Sequence, residues 1–75
     1  MNNNDSFVIE RGGVTWAERF YGGRDRISND FIWGPLERAK TFYRKSEAVS
    51  VSYQIDDVAG VYTTVELADQ FLEKD

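Results

Sequence analysis

The sequence predicts an α+β fold, in which a small antiparallel sheet started by an N-terminal β-hairpin packs against one or two short helices. Two β-rich runs flank Gly12 and Gly13, a pair that suits a tight type I′ hairpin turn. After Pro35, which fits the first turn of a helix, apolar residues recur at helical spacing as far as Tyr43. Residues 61–67 are rich in β-branched side chains and predict a further strand.

The predicted hairpin joins residues 6–11 to residues 14–21 through a two-residue turn. In that register Ile9 lies opposite Trp16, and the alternation of strand side chains collects apolar groups on one face. This face holds Phe7, Ile9, Val14, Trp16 and Phe20. We expect both tryptophans, Trp16 and Trp33, to lie in the core, because so small a domain needs large side chains for burial.

The middle and the end of the chain contain shorter elements. Residues 22–30 are polar and begin with two glycines, so we expect a mobile loop. Residues 31–33 predict a third strand, and residues 35–44 a helix. Residues 68–75 predict a terminal helical turn.

Residues 46–55 are compatible with either a strand or a helix, and propensity alone favours the strand. Apolar and polar side chains alternate there, which favours a strand. Ser46 followed by two helix formers is typical of a helix start. The apolar face of that helix holds Ala48, Val51 and Ile55. The residues alone leave this choice open, and Asp56, Asp57 and Gly60 predict a turn after the segment.

The composition points away from catalysis. The 75 residues include no His and no Cys, so the chain lacks a side chain that titrates near neutrality and a thiolate nucleophile. We also expect too little room for a substrate cleft of about 300 Å³. We therefore predict a non-enzymatic protein without cofactor or metal, built as one domain over residues 6–75 after a disordered tail at residues 1–5. With no apolar run of about 20 residues and no secretory signal, we expect no membrane contact and a cytoplasmic location.

Acidic residues are concentrated towards the C-terminus. Residues 54–75 contain six carboxylates and a single basic side chain, Lys74. Such a surface can imitate a nucleic-acid backbone and dock on the basic groove of a protein partner, and equally it can serve only solubility. The predicted partner-binding residues are Asp56, Asp57, Glu66, Asp69, Glu73 and Asp75, with Tyr53 and Tyr62 as aromatic contacts.

Basic residues are concentrated in the middle of the chain, where residues 11–45 hold eight of them against four carboxylates. They could contact phosphates, which gives an alternative function in nucleic-acid binding. The residues concerned are Arg24, Arg26, Lys40 and Arg44, with Tyr43 available to stack on a base. The acidic pI of about 4.7 favours pairing with the acidic end instead. A self-associating structural subunit is a third alternative.

The order of these segments resembles small α+β proteins encoded by phages and other mobile elements. The matching residues are Phe7-Val8-Ile9, Trp33, Ala39 with Phe42, Ser46 with Ala48, and Val65-Glu66-Leu67. The resemblance implies that residues 46–55 are helical. It also implies a protein, monomeric or homodimeric, that inhibits a host defence complex by occupying its surface, as anti-CRISPR proteins do.

Overall fold

The computed structural model describes residues 6–72, and it confirms the predicted α+β class. Four strands form one antiparallel sheet in the order β3-β2-β1-β4. The strands are β1 (Phe7–Arg11), β2 (Phe20–Arg24), β3 (Phe31–Gly34) and β4 (Thr63–Leu67), and the helices are α1 (Lys45–Ala59) and α2 (Asp69–Leu72). The predicted tail at residues 1–5, as well as Glu73, Lys74 and Asp75, lies outside the described residues.

The N-terminal hairpin is present, but its predicted turn and register are wrong. The prediction placed Ile9 opposite Trp16, whereas in the structure Glu10 lies opposite Phe20. The connection includes a 3₁₀ turn at Trp16–Glu18. Gly13 has a positive φ of 77° whereas Gly12 does not, so the type I′ turn does not form. Phe20 consequently lies on the sheet face opposite to Ile9.

Each face of the sheet carries its own apolar cluster. We call the face covered by α1 the helix face; its buried residues are Ile9, Tyr21, Phe42, Ala48 and Ile55. We call the other the groove face; its buried residues are Val8, Phe20 and Ala68, with Leu36, Ala39 and Phe71 packed against them. The chain therefore divides its apolar side chains between two layers, and the single apolar face that we predicted for the hairpin does not exist.

The helix predicted for residues 35–44 is also wrong. Only Leu36–Arg38 forms a 3₁₀ turn, and the chain is extended from Ala39 onward. The Lys40 N–H donates to the Tyr21 carbonyl at 2.9 Å, and Phe7 and Phe42 exchange two backbone hydrogen bonds of 2.7 and 2.9 Å. The segment thus satisfies backbone groups of β1 and β2 that a helix would leave without partners.

The main helix covers the segment that the residues alone left open, so the helix implied for 46–55 is confirmed. Ala48, Ser52 and Ile55 are its buried residues. The helix ends at Gly60, whose positive φ of 69° is typical of a left-handed C-cap. The predicted turn at Asp56 is wrong, because that residue lies in the last turn of α1.

The remaining elements agree in part with the prediction. Strand β4 and the terminal turn α2 lie inside the predicted segments. Strand β2 continues to Arg24, so the loop is shorter than predicted. That loop is closed by the Asp25 carboxylate, which accepts the N–H groups of Ile27 and Ser28 at 2.8 and 3.0 Å. Within residues 6–72, neither helix combines the length and the apolar character that crossing a membrane requires.

Candidate functional site

An apolar groove of about 400 Å³ opens on the groove face. It lies over Val8, between the segment 36–41 on one side and Ala68 on the other. The residues that line it are Ser6, Val8, Trp16, Leu36, Glu37, Thr41 and Ala68. The expectation that the chain has no room for a cleft of this size is therefore wrong. On this face the sheet is covered by the segment 36–41 and the short helix α2, and the groove lies beside them.

Trp16 forms a wall of the groove and remains 45% exposed, so the prediction of a core position is wrong for this residue. Its ring packs edge-on against Phe20 at 5.1 Å and against Phe71 at 6.1 Å between centroids. Phe20 and Phe71 are themselves in edge-on contact at 5.1 Å. The indole is thus held in place by two rings while part of its surface stays open to a ligand.

Carboxylates lie in the groove and next to it. Glu37 lines it directly, and the exposed Asp69 follows Ala68 in the chain. Glu66 lies opposite Val8 in the β1–β4 pairing, which puts its side chain on the groove face. Burial raises the pKa of Glu10 above its ordinary value, the charge of Glu66 raises it further, and Arg19 opposes this. The surroundings of the groove are therefore apolar and rich in carboxylates, with the cation of Arg19 over the Trp16 ring at 5.7 Å.

The structure does not bring the predicted acidic residues into one surface. Asp56 and Asp57 lie in the last turn of α1, which covers the helix face, whereas Glu66 lies on the groove face. Asp56 also has a structural role, because its Oδ1 accepts both the N–H of Thr63 at 3.0 Å and the hydroxyl of Thr63 at 2.8 Å. Among residues 6–72 no group of three or more potential metal ligands is close enough to hold an ion.

Three of the four tyrosines are largely exposed. Tyr43, Tyr53 and Tyr62 are 74%, 69% and 80% accessible. Tyr62 and Asp56 line an open depression of about 260 Å³ next to Gly60. Tyr21 is different, since it is buried in the helix-face cluster. The predicted contacts Tyr53 and Tyr62 are thus available to a partner, but on the end of the molecule that carries Asp57 rather than at the groove.

A second surface lies on the helix face, over β2 and β3 and beside α1. Tyr21 contacts the rings of Phe31 and Trp33, each at 6.0 Å, and stacks with Phe42 at 6.5 Å. Each outer ring has a cation over it. These cations are Arg11 on Trp33 at 4.3 Å, Arg24 on Phe31 at 4.6 Å and Lys40 on Phe42 at 5.7 Å. We call these seven residues the cationic aromatic surface.

This surface contains only part of the predicted basic set. Arg24 and Lys40 belong to it, whereas Arg26 lies in the loop after β2 and Arg44 is the N-cap of α1. Arg11 and the aromatic rings were not predicted. Phe31 and Trp33 at spacing two in a short strand are the signal that could have indicated a shared face.

Comparison with known proteins gives no relative: no family model, curated protein or solved structure matches this chain. The geometry of the two surfaces is therefore the basis for the proposals below.

Proposed function

We propose that this chain is a non-enzymatic inhibitor that binds another protein through the groove beside Trp16. The observation that supports this most is the groove itself, about 400 Å³ in volume, with a partly exposed indole that two phenylalanines hold in place. Tryptophan residues in such positions are typical of binding hot spots. The polar groups lining the groove are one carboxylate and two hydroxyls, a set that suits recognition better than acid–base chemistry.

The charges around the groove favour a basic partner. Glu37, Glu66 and Asp69 lie on or next to the groove face, and complementary charges accelerate encounter and fix orientation. The proposed partner surface is an apolar side chain flanked by Lys or Arg. Basic surfaces of this kind are typical of proteins that bind nucleic acid.

The inhibitory role and its setting rest on the resemblance to small proteins of phages and mobile elements. We propose that the partner is a nucleic-acid-binding complex of a host defence system, met in the host cytoplasm. Acidic mimicry of nucleic acid then operates on the groove face, where an apolar anchor adds affinity that charge alone does not supply.

Quantitative affinity capture from a bacterial host lysate, at low and at moderate salt, tests the proposal. Thr41→Lys and Glu37→Lys alter exposed positions of the groove. Their matched controls are Ser50→Lys and Asp57→Lys, which likewise replace a hydroxyl side chain and a carboxylate by lysine at exposed positions of α1. We expect a captured protein to be lost with both groove variants and kept with both controls, and to lose its own nucleic-acid binding when the wild-type chain is bound.

Two results would contradict the proposal. If no protein is captured above background at either salt concentration, the proposed protein-binding function is wrong. Loss of the partner with Asp57→Lys but not with Glu37→Lys would move the contact to the end of α1, where Tyr53 and Tyr62 are exposed. Sedimentation over a concentration series identifies self-association, the result expected if the groove accepts a second copy of the chain instead.

A further inference from the structure

The cationic aromatic surface is separate from the groove, because it lies on the opposite face of the sheet. Its rings form one connected group around Tyr21, and each outer ring lies beneath a positive charge. Phe31 and Trp33 are half-buried rather than enclosed, so part of each ring edge or face reaches solvent. A protein-binding function at the groove leaves this arrangement unexplained.

The cations of this surface are largely free of carboxylate partners. Within residues 6–72 the ion pairs are Arg11 with Glu18, at 3.9 Å, and Arg19 with Glu10, at 3.7 Å. Neither Arg24 nor Lys40 takes part in one, and both are exposed. The carboxylate nearest to Arg24 along the chain, that of Asp25, already accepts two backbone N–H groups of its own loop. This part of a net acidic chain therefore keeps local positive charge.

We propose that the cationic aromatic surface binds single-stranded nucleic acid. Arg24 and Lys40 contact phosphates, and unpaired bases stack on the accessible parts of Phe31 and Trp33. Aromatic rings on a sheet that are bordered by cations suit a single strand, because its base faces are accessible, whereas those of a duplex are stacked inside the helix. The positive charge of the surface would also attract an acidic peptide, so an acidic peptide is included as a competitor in the test.

The proposal is independent of the groove and is tested with the purified full chain. The probes are fluorescein-labelled thymidine and uridine oligomers of about 12 nucleotides and a duplex of about the same length. We expect binding of the single strands at about 50 mM salt, and a loss of about 7- to 18-fold in affinity at about 200 mM if two or three phosphates are contacted. The duplex and a poly-glutamate peptide should bind more weakly than the single strands.

Two pairs of variants separate this surface from a general charge effect. Arg24→Gln should reduce the slope of log affinity against log salt by about 0.7, whereas Arg38→Gln, an exposed cation outside the surface, should leave it unchanged. Phe31→Leu should lower affinity by about fivefold or more through lost stacking, and Phe31→Tyr should keep it. Circular dichroism and a melting curve confirm that each variant is folded.

The proposal is overturned by absence of single-strand binding at the lower salt concentration. It is equally overturned if Arg38→Gln weakens binding as much as Arg24→Gln, or if a folded Phe31→Leu variant binds like the wild type. Stronger binding of poly-glutamate than of the oligonucleotides would assign the surface to an acidic protein segment instead.

Discussion

Replacing Asp56 and Asp57 one at a time separates a structural carboxylate from a solvent-exposed one. The two residues are neighbours in the last turn of α1, but only Asp56 contacts β4. Its Oδ1 accepts the N–H and the hydroxyl of Thr63. Because that hydroxyl donates to the carboxylate, the hydroxyl of Ser52 is left to donate to Thr63 Oγ1. One acceptor thus orders a chain of two buried hydroxyl groups that joins α1 to the sheet.

The cost of Asp56→Ala follows from those contacts. Loss of the charged acceptor leaves the N–H of Thr63 without its partner and leaves the Thr63 hydroxyl only the more distant Ser52 carbonyl, at 3.4 Å, at a cost of about 2–3 kcal/mol. Removing a negative charge from a helix C-terminus returns about 0.5 kcal/mol. The net loss of about 2 kcal/mol corresponds to a fall in Tm of about 8–16 °C for a domain of this size. Asp57→Ala loses none of these contacts and gains both the second contribution and the better helix propensity of alanine, so it should be at least as stable as wild type.

Urea unfolding followed by circular dichroism measures both variants, and thermal melting gives the matching shift in Tm. Asp56→Asn is a useful third variant, because its side-chain oxygen still accepts a hydrogen bond, and we expect it to lose less stability than Asp56→Ala. Equal stabilities of the two alanine variants, or an Asp56→Ala variant within about 0.5 kcal/mol of wild type, would refute the assignment of Asp56 to this network.

Two further predictions concern backbone geometry and pH. Gly60→Ala places a residue with a Cβ in the left-handed conformation of the C-cap and should lower the free energy of unfolding in urea by about 1 kcal/mol. Gly12→Ala should be neutral, because Gly12 has a negative φ and open space around it. Burial and the charge of Glu66 raise the pKa of Glu10, so the free energy of unfolding should fall as pH rises from the ordinary value of 4.5 through the raised one. Glu66→Gln should flatten part of that decline above pH 4.5 and leave the protein more stable at neutral pH, whereas the exposed control Glu47→Gln should keep the decline. An unchanged profile in Glu66→Gln would contradict this coupling.

The parts of the fold that depend on local chemistry were predictable from the sequence. A hairpin at the N-terminus, a strand near residue 65 and the end of a helix near Gly60 follow from turn residues and β-branched runs. The register of the hairpin was not predictable in the same way. Trp16 packs on Phe71, which is distant in the chain, and that contact favours a 3₁₀ turn where a local pattern predicts a strand.

The candidate surfaces depend even more on contacts between distant residues. Arg11 meets Trp33 only because β1 and β3 flank β2, and no spacing in the sequence indicates that contact. The groove exists because residues 35–44 form a short 3₁₀ turn and an extended segment, although the helical spacing of their apolar residues predicts a helix. Composition predicted an aromatic binding protein, but the assignment of aromatics to two separate surfaces required the strand order.

The strand order also explains why charge along the chain is a poor guide to charge on the surface. The acidic end of the chain supplies Glu66 to the groove face, because Glu66 lies opposite Val8 in the sheet, whereas Asp56, in α1, hydrogen-bonds to Thr63 on the helix face. The basic middle is divided in the same way, since Arg19 pairs with Glu10 whereas Arg24 lies over Phe31. A chain of net charge −4 therefore carries carboxylates beside the groove on one face and a cationic aromatic surface on the other. Because the two surfaces share no residue, a variant in one should leave binding at the other intact, and each proposal can fail without the other.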